Sequence, residues 1–423
     1  MDLINNFSEI LRKIYGNNQT VQKAKLFRYN NLMNRFSEHF TDNEVFLFST
    51  PGRTEIGGNH TDHNLGRVIA ASVNLDTIAI TSKNENKNVT LYSDGYDKPF
   101  EINLNSLDKR NEEEGTTNSL IRGIASRFIQ LGYNIGGFNG VMTSDVLPGS
   151  GLSSSASVEV MICNIFNSLY NDDKVPKEEL AKIGQWAENN YFGKPCGLMD
   201  QLACAFGGII SIDFINPEKP EIKKVNFDFE SQGYKLLIVD TGGNHEDLTD
   251  DYAAIPKEMK LVAKLFGKEV CREIEENEFL NNIKEIRDKV GDRATLRAYH
   301  FFQENKRVIK QVNSLEKNQF GQFLNLITES GNSSFKLLQN IYSAKNFEEQ
   351  SVSLGLAFTE QFIHEKGKGA VRVHGGGFAG TIQVFLPDEY VEAYKKFTEL
   401  IIGKSSIMTL DIRSLGTVCL NLL

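Results

Sequence analysis

The stretch DVLPGSGLSSSASVEVMICNIFNSLY, Asp145 to Tyr170, joins a glycine- and serine-rich segment to an apolar helical pattern. Glycine permits left-handed backbone and lets a ligand approach the main chain closely. The helix start that follows offers unpaired N–H groups and the positive end of the helix dipole, which together favour a phosphate group. An ordinary serine-capped helix after a Gly-Pro turn accounts for the same letters, so this stretch alone leaves both interpretations open.

The absence of two familiar motifs narrows the chemistry of this segment. No Gly-Lys-Ser/Thr closes it, which disfavours a P-loop, and no G-x-S-x-G occurs in it, which disfavours a serine hydrolase. Its serine hydroxyls can bind phosphate oxygens or Mg²⁺. The candidate phosphate-binding residues are Gly149, Ser150, Gly151, Leu152, Ser153, Ser154 and Ser155.

Upstream lies a second dense motif, GRTEIGGNHTDHN, Gly52 to Asn64. Its side chains suit a metal site, a catalytic centre or a pocket for a polar ligand. His60, Asp62 and His63 match part of the H-x-H-x-D-H metal pattern, but Gly58 stands where the first histidine belongs. The metal-hydrolase alternative is therefore disfavoured.

Downstream, two further segments carry chemistry. VHGGGFAGTIQVF, Val373 to Phe385, places three glycines between strand-like runs, which indicates either a tight turn or a close approach to a ligand. IGQWAENNYFGKPCGLMDQLACAFGG, Ile183 to Gly208, carries Glu188 and Asp200. The small and apolar neighbours of Asp200 make it either a helix N-cap or a partly buried functional carboxylate.

The length of 423 residues predicts two lobes, which we divide at the polar stretch near residue 215 into 1–215 and 216–423. Strands are expected at VFLFS before the second motif and at Val68–Ser82, and a helix at Asn118–Tyr133. Asp76 and Asp94 are interpreted as turn residues. Strands and helices that mix without regular alternation predict an α+β fold.

Composition excludes several classes of protein. The net charge of -9 argues against a nucleic-acid partner, and no apolar window is long enough for a membrane span. The five cysteines form no C-x-x-C pair, which fits a reducing cytoplasm. Nothing in the sequence predicts an oligomeric state.

Taken in order, GRTEIGGNHTDHNLG, PGSGLSSSAS and HGGGFAG resemble the three motifs of the GHMP kinase superfamily. The first also resembles the galactokinase signature G-R-x-N-L-I-G-E-H-T-D-Y-N, and PCGLMDQ resembles the galactokinase segment that carries the catalytic aspartate. The resemblance implies a two-lobed GHMP kinase fold with mixed sheets and helices and an active site between the lobes. It implies a kinase that uses ATP and Mg²⁺ to phosphorylate C1 of a small sugar, first of all galactose.

Roles for individual residues follow from the same resemblance. It implies that Asp200 is catalytic and is contacted by Arg53, and that the third motif, Gly375, Gly376 and Gly377, supports the site from the other lobe. It places Mg²⁺ on Ser155 and Glu188. The positions that it implies for sugar binding are Asn59, His60, Asp62 and Tyr252.

The chain departs from the galactokinase pattern inside the motif Gly52–Asn64, which is called the sugar motif below. Asn59 stands where the family has glutamate, and Glu55 stands where it has asparagine. The segments after Tyr252 and at Ser330–Leu338 also differ from the family pattern. Galacturonate, arabinose, fucose and N-acetylgalactosamine therefore stay open as substrates, and so does a non-catalytic sugar sensor.

Overall fold

The computed structural model describes residues 2–42, 44–147, 149–243, 248–403 and 407–423, and the side chains of all of these except 2–6 and 230. The helices are α1 Asp2–Tyr15, α2 Gln19–His39, α3 Thr117–Gln130, α4 Ser154–Tyr170, α5 Lys177–Ala187, α6 Met199–Phe206, α7 Thr249–Leu265, α8 Glu276–Asn281, α9 Ile283–Val290, α10 Asp292–Glu316, α11 Phe320–Ser333, α12 Ser351–Lys366 and α13 Val391–Ile402. The strands are β1 Phe46–Gly57, β2 Arg67–Lys83, β3 Asn88–Ser93, β4 Phe100–Asn103, β5 Phe138–Ser144, β6 Ile209–Asp213, β7 Glu221–Val225, β8 Tyr234–Asp240, β9 Ala370–Val373, β10 Thr381–Pro387, β11 Ile407–Leu410 and β12 Val418–Cys419. None of the helices in these ranges is long and apolar enough to cross a membrane.

Two sheets organise the chain. The first has the order β12-β1-β2-β5-β3-β4, with β6 on the first half of β2 and β7 beyond β6; its pairs are antiparallel except β3 with β5. The second is antiparallel, in the order β11-β8-β10-β9. Helices α3, α4 and α5 pack on the first sheet around Phe128 and Phe166, whereas α12 and α13 contribute to the core of the second sheet. The predicted α+β class is confirmed.

The sheets cross the lobe boundary that the sequence predicts. Strand β7, after residue 215, pairs with β6 in the first sheet, and β12 returns from the far end of the chain to the edge of β1. The division into 1–215 and 216–423 stays a prediction about domain limits.

Strand β1 is longer than predicted, because it runs through the first half of the sugar motif to Gly57. Its pairing with β2 shifts register between Pro51 and Arg53 and again between Glu55 and Gly57. Such β-bulges re-aim side chains next to functional sites. Arg53 and Glu55 are thus held on rigid strand backbone and not on a loop.

Asp76 is a fully buried residue of β2, and its interpretation as a turn residue is wrong, whereas Asp94 does lie in a turn. Lys25, Arg28 and Arg413 contact its carboxylate at 2.9, 2.6 and 3.1 Å. Burial alone would raise the pKa of Asp76, but the three cations outweigh it and hold the pKa well below its usual range. The carboxylate thereby joins α2, β2 and the segment before β12.

We expect Asp76→Asn to lower the free energy of unfolding by about 3–5 kcal/mol, because it leaves buried cations without their counter-charge. Since the pKa is depressed in the folded chain, the stabilisation is present above the ordinary aspartate pKa of about 4 and is lost as pH falls below it. Denaturant unfolding at pH 7 and at lower pH measures both effects. Asp172→Asn is the control, because Asp172 is 82% exposed and pairs with Lys174 at the surface; equal losses in the two variants would contradict the expectation.

Candidate active site

Arg53 and Asp200 form a bidentate ion pair. Arg53 Nε lies 2.7 Å from Asp200 Oδ1, and Arg53 Nη2 lies 2.6 Å from Oδ2. Burial raises the pKa of Asp200, but the charge and hydrogen bonds of Arg53 outweigh burial, so the pKa is lowered overall. Asp200 is not an N-cap, because Leu198 holds that position; it lies in the first turn of α6, where the helix dipole also favours a carboxylate. Its side chain is 30% exposed, so the ionised carboxylate remains accessible.

The phosphate loop, Gly149–Ser155, lies directly beside this pair. Arg53 Nη1 donates to the carbonyl of Gly151 at 2.5 Å, and the Ser153 hydroxyl donates to Asp200 Oδ2. Gly151 has φ +73°, and a Cβ there would lie 2.8 Å from His374 Nδ1, so only glycine fits.

The start of α4 is not capped by a serine side chain. Ser153 occupies the N-cap with φ 58° and ψ 64°, and its hydroxyl makes no capping hydrogen bond because it faces Asp200. The alternative interpretation of this stretch, an ordinary helix capped by a serine side chain, is therefore wrong. Ser154 and Ser155 are half-buried in the first turn, and within the described ranges the first N–H groups of the helix have no side-chain acceptor.

Two buried carboxylates lie on the helices next to the loop. Glu188 opens a π-helical segment, Glu188–Phe192, and is 2% exposed. Gln201, the neighbour of Asp200, donates to Glu188 at 3.1 Å and to Glu159 at 2.9 Å. Glu159 is one helical turn after Ser155, so α4 presents both on one face. Sequence reasoning missed Glu159, although a carboxylate inside the apolar run SVEVMIC was a signal.

Mg²⁺ fits the chemistry of these groups. Oxygen ligands are what Mg²⁺ prefers, and Ser155 and Glu188 supply a hydroxyl and a carboxylate. Among the described residues, the buried atom Glu159 Oε1 has no hydrogen-bond partner. Lys194, whose side chain is exposed, lies 3.8 Å from Glu188. Burial and, next, the charge of Glu188 raise the pKa of Glu159 well above its usual range, and a bound cation would favour the ionised form of this carboxyl group.

The sugar loop, Gly58–Asn64, contacts the third glycine loop, Gly375–Gly377. His60 Nε2 lies 2.9 Å from the carbonyl of Gly376, and the Tyr252 hydroxyl donates to that of Gly377 at 3.0 Å. A Cβ on Gly376 would lie 2.4 Å from the Tyr252 ring. Burial, with a smaller effect from His63, lowers the pKa of His60 to about 4, so this ring is neutral at pH 7.

Asp62 lies against the segment that leads to Asp200. A Cβ on Gly197 would lie 2.2 Å from Asp62 Oδ2, so the glycine admits the carboxylate. The structure thus brings Asp62 to the segment that leads to Asp200, and it brings His60 and Tyr252 to the third glycine loop. Asn59 is different: it is fully buried, and its amide is bonded to protein groups.

The groups that hold these loops include residues to which sequence reasoning gave no such role. His374 is buried with its ring nitrogens 3.0 Å from Thr54 Oγ1 and 3.1 Å from Thr381 Oγ1. Burial and, next, the charge of Arg53 hold its pKa well below the usual range. Within α10, His300 and Glu304 contact the backbone of the sugar loop. Their spacing of four residues, which puts both side chains on one face of the helix, was the available signal.

The metal-hydrolase alternative finds no support in the geometry. Among the residues that the structure describes, no three histidine, cysteine, aspartate or glutamate side chains come together in a way that could hold a metal ion. His60 also directs its Nε2 to a backbone carbonyl.

Comparison with known proteins identifies the family to which the chain belongs. Residues 119–208 match the GHMP kinases N terminal domain, and residues 34–83 match the galactokinase galactose-binding signature. The galactokinase of Clostridium acetobutylicum is 30% identical over 90% of this chain and 95% of its own length, and that of Pyrococcus furiosus is 30% identical over 78% and 86%. The crystal structure of Lactococcus lactis galactokinase complexed with galactose superposes with a TM-score of 0.79 at 27% identity, covering 92% of this chain and 99% of that one. The resemblance seen in the three sequence motifs is thereby confirmed, and the chain belongs to the galactokinase family of the GHMP kinases.

Proposed function

We propose that this chain transfers the γ-phosphoryl group of ATP to the C1 hydroxyl of galactose, giving galactose 1-phosphate and ADP. The observation that carries the proposal is the Arg53–Asp200 ion pair, because Arg53 contacts the phosphate loop at Gly151 and stands on β1, the strand that runs into the sugar loop. The family and the galactose in the related Lactococcus structure support the choice of sugar.

Asp200 acts on the acceptor hydroxyl. Its lowered pKa keeps it ionised at neutral pH, so it accepts the hydroxyl proton or orients the oxygen toward the phosphorus. Arg53 fixes the carboxylate with two hydrogen bonds, which matters because phosphoryl transfer depends on positioning and charge stabilisation. His60, Asp62 and Tyr252 bind the sugar in this proposal.

The ATP phosphates bind at the phosphate loop. The uncapped N–H groups at the start of α4 and the positive end of its dipole hold phosphate oxygens, with the hydroxyls of Ser154 and Ser155 beside them. Ser155 and Glu188 hold Mg²⁺. The chemistry that Mg²⁺ supplies when bound is neutralisation of phosphate charge.

We expect Glu188→Gln to raise the Mg²⁺ concentration for half-maximal activity by about tenfold or more, because a neutral amide is a weaker ligand than a carboxylate. ADP release measured against MgCl₂ at saturating ATP gives this midpoint. Glu178→Gln is the matched control, since Glu178 lies on the preceding helix α5 and pairs with Lys182 away from the loop. An unchanged midpoint in Glu188→Gln would exclude Glu188 as a ligand.

A screen of acceptors tests the proposed function. ADP release is measured with ATP and, in turn, galactose, galacturonate, arabinose, fucose and N-acetylgalactosamine. Galactose is expected to give the highest kcat/KM. Much faster turnover of one of the other sugars would reject galactose, and binding of sugar and ATP without ADP release would identify a non-catalytic sensor. A cytoplasmic location, predicted from the cysteines, stays part of the proposal.

A further inference from the structure

The side chain of Asn59 is enclosed by protein. The residue is 0% exposed. Its Nδ2 donates to the carbonyl of Gly375 at 2.8 Å and to Glu55 Oε1 at 3.1 Å. Its Oδ1 accepts from Asn340 Nδ2 at 2.9 Å and from Ser334 Oγ at 3.3 Å. A primary amide has two N–H donors and an oxygen with two lone pairs, so all four of its hydrogen-bonding positions are filled.

The main chain at the same position is fixed as well. His300 Nε2 lies 2.9 Å from the carbonyl of Asn59, and the N–H of Gly58 donates to Glu304 at 3.1 Å. Both partners are fully buried on α10. His300 Nδ1 in turn lies 2.8 Å from the Ser333 hydroxyl. The backbone and the amide of Asn59 are therefore tied to different elements at once.

The charge next to Asn59 is also paired inside the protein. Glu55 is 5% exposed and forms an ion pair with the fully buried Arg372 at 2.5 Å. Arg372 also donates to the carbonyl of Ile56 at 2.8 Å. Position 59 thus presents neither a charge nor an unused hydrogen-bonding group to a ligand.

We propose that Asn59 is a positioning residue that fastens the sugar loop to the third glycine loop and to Asn340, and that no sugar hydroxyl bonds to its amide. The neighbouring residues His60 and Asp62 then contact the sugar from a backbone that Asn59 holds in place. This inference deepens the proposed function and rests on it, because sugar phosphorylation is the readout. It replaces direct contact as the way in which residue 59 influences the sugar.

Galactose analogues that each lack one hydroxyl other than the C1 acceptor separate the two roles. We expect Asn59→Ala to lower kcat/KM for galactose about tenfold, within the coupling energies found for buried networks. The same factor, within about twofold, is expected for every analogue, and the KM for ATP is expected to stay within about twofold of wild type. An analogue that wild type and Asn59→Ala turn over equally well would identify a hydroxyl bonded to Asn59 and overturn the proposal.

A double-mutant cycle with Asn340 tests the network from its other end. If the two asparagines act as one unit, Asn59→Ala/Asn340→Ala loses little more activity than the more affected single variant. Losses that multiply would show independent roles and contradict the proposal. Should Asn59→Ala fail to fold, Asn340→Ala in the same analogue series replaces it, with the same two outcomes.

A buried asparagine remote from the site serves as the control. Asn167, 3% exposed, bonds the backbone of Val175 within the first lobe. Asn167→Ala is expected to lower the melting temperature while kcat/KM for galactose stays near wild type. If Asn167→Ala loses as much kcat/KM as Asn59→Ala, the loss is a general effect of destabilisation and the positioning role is contradicted. Wild-type protein that releases no ADP with any sugar would instead refute the proposed function itself.

Discussion

Asp200→Asn is expected to lower kcat by about 10²- to 10⁴-fold while the protein stays folded. The amide keeps the shape of the side chain but cannot take the hydroxyl proton, and it returns only one oxygen to the Arg53 guanidinium. Because Asp200 is 30% exposed, the fold depends on it far less than on the buried Asp76. Single-turnover measurement of sugar phosphate with saturating ATP and galactose isolates the chemical step.

The control for this variant is a second Asp–Arg pair. Asp94 pairs with Arg35 at the surface, where its side chain is 56% exposed. Asp94→Asn removes the same charge and is expected to leave kcat unchanged. If Asp200→Asn keeps a kcat near wild type, Asp200 is not catalytic. If kcat falls while the melting temperature stays near wild type, the variant has lost the chemical step and not the fold.

Arg53→Met is expected to reduce kcat by about 10²- to 10³-fold, comparable with the loss of one preorganised charged donor. It should also change the pH profile. In wild type the Arg53 charge lowers the pKa of Asp200 against the effect of burial, so Asp200 is ionised and active down to its ordinary pKa of about 3.9 and below. Without Arg53, burial is opposed only by the smaller effects of Ser153 and Lys194, so the pKa of Asp200 rises and activity is lost at a higher pH as the solution is acidified.

The pH dependence of kcat/KM measures this shift, and Arg35→Met is its control. Arg35 is the partner of Asp94, so its loss removes a guanidinium without touching the site. If kcat/KM falls at the same acidic pH in wild type and in Arg53→Met, the titration of Asp200 does not cause that fall.

The local features of the site could be predicted from sequence. The helix after the phosphate loop was evident, because apolar residues recur at helical spacing after a cluster of glycines and serines. The sequence does not predict that Ser153 adopts a left-handed conformation and donates its hydroxyl to Asp200, 47 residues further along the chain. A capping rule describes neighbours along the chain and has no information about such a partner.

The length of β1 was underestimated for a related reason. Pro51 and the glycines that follow read as signals that end a strand. Strand β2, 17 residues long, pairs with β1 nearly throughout, and two bulges absorb the irregular positions. The tertiary partner therefore overrides the local preference, and the first half of the sugar motif is sheet.

The surroundings of Asn59 were beyond sequence reasoning. Its amide partners on Ser334, Asn340 and Gly375 lie 275, 281 and 316 residues away along the chain. The difference from the family pattern at positions 55 and 59 drew attention to the right residues, but it suggested contact with the sugar. In the fold both side chains face protein groups.

The return of the chain to the first sheet has a consequence for synthesis. Strand β12 covers the edge of β1, and Arg413 completes the shell around Asp76, yet both are made after the whole of the second sheet up to β11. While the ribosome is still adding these residues, the emerging first lobe has an open strand edge and a buried carboxylate that lacks one of its cations. Open edges invite pairing with other chains. A fragment that stops after β7 lacks β12 and Arg413, so it cannot complete the first sheet or the ion pairs of Asp76. We therefore expect that the two halves of this protein cannot be exchanged or expressed as independent modules.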